Sequence, residues 1–347
     1  MSYKAMTAVD QSFDSWGWFV ASSMMSVMKE DSLNTSWSLS DPVTSRDDIY
    51  RKFGHITYNK GASLLRMMES VLGLDAMALG LSNYINSFQF GNVREDDLLL
   101  SLEEAGYELG TWPNGGKDSF VEVMKKWTNQ KGYPLVTVTE EQKGSNQKMI
   151  LEQTWYHQDE GGQLWDIPVT ITEVRTSGTN WNKITPDYWL SEKTGTIDLE
   201  PHEDTKAILL NTRAVGYYRV NYSYQGWYNL GLVLSADHEV VDPYNRAQII
   251  CDVTSLVETG LMEQGLRDHV LQFLTRETDL TPLMASEVCS DSLLRWNPKQ
   301  QTPIRRQFFW GPKGPPRFLA HEKDLGQGTC IFTIFSSSWF FIYKSHI

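Results

Sequence analysis

A tyrosine stands in the segment Phe53-Gly54-His55-Ile56-Thr57-Tyr58-Asn59-Lys60-Gly61-Ala62-Ser63, just ahead of a helical pattern. A phenol stays neutral and protonated near pH 7, with an ordinary pKa of about 10. Such a hydroxyl can donate one hydrogen bond. On the residue type alone, Tyr58 reads as a packed side chain with a satisfied hydroxyl. Metal chemistry would need histidines and carboxylates at ligand spacing. The histidines are His55, His157, His202, His238, His269, His321 and His346, and no two lie four apart. His202-Glu203, His238-Glu239 and His321-Glu322 each begin like H-E-x-x-H, but the second histidine is missing. Catalytic zinc takes about three protein ligands and an open position, and no local stretch supplies them. The sequence contains no G-x-S-x-G elbow, no G-x-G-x-x-G and no G-x-x-x-x-G-K-[ST], so it offers neither a hydrolase serine nor a nucleotide cradle.

The elements that would position these residues change character along the chain. To about Gly132 the pattern is helical. Leu64, Met68, Val71 and Leu72 share one face and Gly73 ends it. Asp75 is the expected cap of a helix running towards Phe88, and Asn92 with Glu95 opens another that ends at Gly106. Ser119 to Glu122 spell a capping box, with Phe120, Val123, Met124 and Trp127 as the stripe behind it. From about Tyr133 the period falls to two. Leu135 to Thr139 is β-branched, and Trp165, Ile167, Val169 and Ile171 alternate with small or polar residues. Ile208 to Leu210 and Tyr217 to Tyr222 predict further strands, and frequent glycine turns suggest a β-sandwich. Its tryptophans, Trp155, Trp165, Trp181 and Trp189, read as core in preference to a sugar-binding face. Helical spacing returns from Gln225, with Ile249, Val253, Leu256 and Val257 on one face. After Asn297 prolines recur and the aromatic stretches follow neither period.

Composition narrows the function classes. The 347 residues are 41% hydrophobic and 21% charged, with a net charge of −12. This is a globular composition. An acidic chain with no basic cluster is a poor partner for nucleic acid. Cys251, Cys289 and Cys330 lie far apart, form no C-x-x-C pair and read as buried small hydrophobes. No signal peptide is apparent, and Ile331 to Tyr343 is shorter than the roughly 20 residues of a spanning helix. Two glycan-acceptor triplets, Asn34-Thr35-Ser36 and Asn221-Tyr222-Ser223, matter only in a secreted chain.

Three stretches resemble one family in the same order. Ile56-Thr57-Tyr58-Asn59-Lys60-Gly61-Ala62 is similar to the Ile-Ser-Tyr-x-Lys-Gly-Ala segment of the gluzincin zinc aminopeptidases of the aminopeptidase N type. Asp31 to Ser36 resembles the stretch that precedes it. Gly216-Tyr217-Tyr218-Arg219-Val220-Asn221-Tyr222 resembles a strand at the end of that family's β-sandwich, and Asn245-Arg246-Ala247-Gln248 resembles a helix early in its C-terminal domain. The resemblance runs from Met1 to about Leu294. Gly54-His55 departs from the Phe-Asp common in the family.

The resemblance implies a multidomain α+β protein. Residues 1–132 would be the helical C-terminal half of a thermolysin-like catalytic domain, carrying the family tyrosine. Residues 133–224 would be a β-sandwich, 225–296 the start of a C-terminal domain and so a truncated α-helical array, and 297–347 an aberrant, disordered tail. Family members remove N-terminal residues from peptides with one zinc, held by H-E-x-x-H and a later glutamate, while a G-x-M-E-N loop holds the free amine. In the family these all precede the tyrosine, and neither motif occurs here. Tyr58 alone carries over, as the donor to the transition-state oxyanion. Zinc belongs to the family, and none is expected on this chain alone, which is expected to be inactive by itself. Peptides are the substrates implied for the parent enzyme. A rival reading is a non-catalytic truncated isoform that acts as an interaction module and self-associates through its helical array. Family members are often plasma-membrane ectoenzymes, so the resemblance leaves the compartment open.

Overall fold

Capping chemistry and buried stripes set the helices. The chain opens with α1 (Ser2–Val9), α2 (Ser15–Trp18) and α3 (Met25–Asp31), the last two joined by a buried π-helical segment, Phe19–Met24. In α4 (Arg46–Lys52) the Ser45 hydroxyl accepts from the Asp48 amide at 3.1 Å, and the Asp48 carboxylate accepts from the Ser45 amide at 3.1 Å. A second π-helical turn, Ile56–Lys60, runs straight into α5 (Gly61–Leu72). Gly73, at φ +82°, ends α5 and also begins α6 (Leu74–Ser87). Asp75 therefore sits in the first turn of α6 and does not cap it. Likewise α7 (Glu95–Glu108) starts one residue past Arg94, whose amide donates to Asp97 at 2.7 Å, and not at Asn92. The capping box at Ser119 is formed, and α8 (Phe120–Thr128) buries the expected stripe.

The strands follow. β1 (Pro134–Lys143) pairs antiparallel with β2 (Asn146–Trp155), which pairs antiparallel with β6 (Thr194–Leu199). On the other edge β1 pairs parallel with β8 (Arg219–Tyr222), giving a mixed four-stranded sheet. β3 (Ile167–Val169) pairs with β5 (Tyr188–Leu190), and β4 (Ile171–Arg175) with β7 (Thr205–Leu210), as two separate antiparallel ribbons. The alternation predicted from Trp165 is not seen: every residue from Trp165 to Thr170 is buried, so β3 is enclosed on both faces. Alternation appears only in β4, where Thr172 and Val174 are buried and Ile171 is half-buried. Trp165 is fully buried, in line with a core role.

α9 (Tyr224–Ala236), α10 (Pro243–Glu258), α11 (Gln264–Val270) and α12 (Leu280–Cys289) complete this part. α10 is not amphipathic. Every residue from Tyr244 to Leu256 is buried, so it is a central helix enclosed on all sides. Cys251 on α10 is disulfide-bonded to Cys289 on α12, with Cα atoms 5.3 Å apart. This corrects the reading of those cysteines as unpaired hydrophobes. Sequence distance says nothing about a gap that packing of α12 on α10 closes.

The structure, a computed structural model, describes residues 2–10, 13–112, 119–143, 146–156, 162–289, 329–336 and 339–346. Residues Met1–Ser292 pack as one unit and Leu293–Ile347 as another. In the second unit β9 (Thr329–Ser336) pairs antiparallel with β10 (Trp339–His346). His157, His321 and residues 297–328 of the tail lie outside the described residues. Among the described residues no helix is long and apolar enough to cross a membrane.

Candidate functional site

Tyr58 sits on the π-helical turn Ile56–Lys60, between His55 and Gly61. Ile56 and Lys60 point inward and are fully buried, which sends Tyr58, halfway between them, outward. Tyr58 is 61% exposed, with the Phe53 ring 6.4 Å away and 65% exposed. No hydrogen bond of its hydroxyl occurs among the described residues. The packed-tyrosine reading is therefore corrected: the phenol faces solvent, free to meet a ligand. Short π-helical insertions in helices occur frequently at functional sites.

Behind Tyr58 the same turn is anchored by a buried ion pair. Lys60 Nζ lies 2.9 Å from Asp31 Oδ2, and both side chains are fully buried. Lys60 also donates to the carbonyls of Gly132 (2.9 Å) and Gln130 (3.2 Å). Asp31 accepts from the Gly132 amide at 3.1 Å, from the Tyr217 hydroxyl at 3.1 Å and from the Ser36 hydroxyl. Burial pulls the Lys60 ammonium below its ordinary value, and Asp31 opposes that pull. Burial, with Asp31 adding to it, pushes the Tyr217 phenol well up, so it stays a donor. One cluster thus joins α3, the turn under Tyr58, the connection into β1 and the approach to β8. Sequence reading missed Lys60 and Asp31 because charged residues usually mark surface. Nothing in the spacing pairs Asp31 with Tyr217, 186 residues away.

The other two family-like stretches continue this network. Arg219 donates to the Tyr133 hydroxyl at 3.1 Å and to Asp252 on α10 at 2.9 Å. Its guanidinium also lies over the Tyr133 and Tyr156 rings. Asp252 further accepts from the Val220 amide (3.1 Å) and from Gln248 (3.3 Å). Burial works against the Arg219 charge, but Tyr133, Asp252 and Tyr156 hold it protonated. Burial pushes the Asp252 carboxyl up to about 6 against Arg219, so it is still ionised at neutral pH. Arg246 grips Glu277 through two nitrogens, at 2.7 and 3.1 Å, and donates to the His238 carbonyl at 3.1 Å and to the Val241 carbonyl at 2.6 Å. Asn245 donates to the Asn211 carbonyl (3.0 Å) and accepts from the Arg213 amide (2.6 Å). That loop is strained: Asn211, Arg213 and Ala214 all have positive φ, near +50° to +60°. Arg66, on α5 just beyond Tyr58, caps it by donating to the carbonyls of Arg213 (2.9 Å) and Ala214. These motif residues hold the unit together, and among the three stretches Tyr58 is the side chain turned to solvent with chemistry to offer.

The described histidines do not converge. His55 meets Glu30 at 3.0 Å on the surface, and His202 meets Asp204 at 2.6 Å. His238 is buried 3.8 Å from Glu277, and His269 lies on Tyr228, with its Nε2 3.0 Å from the Tyr228 carbonyl. Among the described residues no three metal-binding side chains gather. A zinc ion therefore finds no fitting donor set among the described residues.

The fold and these clusters can now be set beside known proteins. The Peptidase family M1 domain matches residues 1–127, the part that carries Tyr58, and the ERAP1-like C-terminal domain matches residues 207–308. The thyrotropin-releasing hormone-degrading ectoenzyme of Rattus norvegicus is 30% identical over 298 residues, covering 82% of this chain and 27% of its own. The membrane alanyl aminopeptidase of Heliothis virescens is 32% identical over 274 residues, covering 77% of this chain and 27% of its own. The endoplasmic reticulum aminopeptidase 2 of Bos taurus is 31% identical over 283 residues, covering 74% and 29%. The chain belongs to the M1 family of gluzincin aminopeptidases, a zinc-dependent peptidase family. It spans less than a third of the length of the curated relatives it matches.

Proposed function

We propose that this chain carries the oxyanion-donor part of a zinc aminopeptidase that removes N-terminal residues from peptides. In this reading residues 1–132 belong to the helical half of the catalytic domain, 133–224 form the β-sandwich domain and 225–296 begin the C-terminal helical array. Tyr58 donates its phenolic hydrogen to the oxyanion of the tetrahedral intermediate. The observation that carries the reading is the arrangement of one turn: a solvent-facing phenol with an unengaged hydroxyl, two residues from a lysine locked in a buried ion pair. A donor held in advance at the place where charge develops needs no reorganisation during the reaction. The H-E-x-x-H motif does not occur in these 347 residues, and this reading expects no peptide hydrolysis from the polypeptide by itself.

The test joins this chain to the upstream H-E-x-x-H segment of one of its relatives and follows hydrolysis of an aminoacyl-anilide. Tyr58→Phe should lower kcat by about 10²–10³-fold, the usual cost of one oxyanion donor, with little change in KM. An active parent fusion whose kcat is untouched by Tyr58→Phe would contradict the assignment.

A second reading, self-association through the helical array, is favoured by exposed apolar side chains there. Tyr224, Leu232, Leu261 and Leu280 are each at least half exposed. Sedimentation across a concentration series separates the two. A dimer that dissociates on dilution supports this reading, and a monomer throughout removes it.

A further inference from the structure

The two glycan-acceptor triplets stand in opposite environments. Asn221 lies on β8 opposite Thr137 of β1, and its Oδ1 accepts a hydrogen bond from the Trp227 indole at 3.1 Å. Trp227 is buried, as is Tyr222, the middle residue of that triplet. A sugar on Asn221 has to enter a paired strand beside a buried indole. Asn34 lies on the turn that follows α3, where Leu33, Asn34 and Thr35 are all exposed. The turn is tethered from below: the Ser36 amide donates to the Leu33 carbonyl at 3.0 Å, and the Ser36 hydroxyl donates to the buried Asp31. A sugar on Asn34 would start from an exposed turn and not from a paired strand.

An independent observation concerns the compartment. Cys251 and Cys289 are joined in the interior, both buried. Disulfides of this kind form and persist in oxidising surroundings, the secretory lumen among them, and are rare where thiols are kept reduced. Asparagine glycosylation of an Asn-x-Ser triplet takes place on secreted chains.

We propose that Asn34 is an N-glycan acceptor, and that Asn221 is not, in a chain that folds in an oxidising secretory lumen. The sugar donor is a lipid pyrophosphate-linked oligosaccharide. The Asn34 Nδ2–C1 bond forms as the C1–oxygen bond to pyrophosphate breaks. The lipid pyrophosphate leaves with the electron pair, and the Nδ2 proton passes to a base of the transferase.

The experiment expresses the full 347-residue chain behind a cleavable secretory leader in a eukaryotic host. The product is treated with a glycan-releasing amidase, which converts an occupied asparagine to aspartate, and its peptides are weighed. The expected result is one gel shift, with conversion at Asn34 and none at Asn221. The shift should vanish in Asn34→Gln and persist in Ser36→Thr and in Asn221→Gln. A non-reducing peptide map of the same sample should show Cys251 linked to Cys289. An amidase-insensitive chain, or conversion at Asn221, overturns the site assignment. Both cysteines found as free thiols would overturn the compartment. Peptide weighing of the unmutated chain reads occupancy directly, so a poorly folding variant does not decide the outcome.

Discussion

Tyr58 and Lys60 are two residues apart on one turn and share nothing else. Tyr58 is 61% exposed, while Lys60 is fully buried and satisfied by Asp31 and two carbonyls. The same contrast separates Tyr58 from the other family-like stretches, where Arg219, Asn245 and Arg246 are spent on partners inside the unit. A short motif can thus combine two demands. One residue faces solvent, and its neighbours fix the backbone from which it projects. Searching for chemistry in every residue of such a motif would mistake the brace for the tool.

The comparison breaks first at the brace. Lys60→Met leaves Asp31 buried without its cation, and losing one partner of a buried pair costs about 3–5 kcal/mol. Denaturant unfolding should show an unfolding free energy lower by that amount and a correspondingly lower midpoint. A change under about 1 kcal/mol would mean that the pair is not structural.

The next effect belongs to the disulfide between α10 and α12. Closing a loop over a sequence separation of 38 limits the unfolded chain by about 4 kcal/mol in the loop-entropy account. Reduction should lower the thermal midpoint, and the Cys251→Ser, Cys289→Ser double variant should match the reduced protein. An unchanged midpoint after complete reduction would remove the bond from the account.

Much of this is legible in the sequence, and the division follows from physics. Local signals read well: the Ser119 capping box, the Gly73 stop and the strand inside Tyr217 to Tyr222 depend on neighbours within a few residues. Long-range pairing did not read at all. Asp31 finds Tyr217, and Cys251 finds Cys289, only because the intervening chain folds back. The spacing of Ile249, Val253, Leu256 and Val257 reads α10 as one-sided, although Arg246, Gln248 and Asp252 are buried with its apolar face. The resemblance points to Tyr58 as a site residue, whereas residue type alone places it in the core. Its exposure follows from Ile56 and Lys60 both turning inward on the same turn.

A smaller effect concerns α4, immediately before the Tyr58 turn. The hydroxyls of Thr44 and Ser45 and the Thr44 amide hold the Asp48 carboxyl down, to about 2 from its ordinary 3.8. The folded value is below the unfolded one, so this contribution is present above about pH 4 and is lost as the pH falls through about 2. Protection of the Ile49 and Tyr50 amides, relative to their intrinsic exchange rates, should fall over that window before the rest of the unit opens. Exchange that speeds up only together with the buried helices would show that this cap is not a separate step.

The most direct test sets Tyr58→Phe against Lys60→Met in the same unfolding experiment. An exposed hydroxyl with no partner should change stability by no more than about 0.5 kcal/mol, against several for the lysine. That outcome leaves Tyr58 available for a ligand and not engaged in holding the fold. A loss for Tyr58→Phe as large as that for Lys60→Met would place the phenol in the structural network and contradict its assignment as the oxyanion donor.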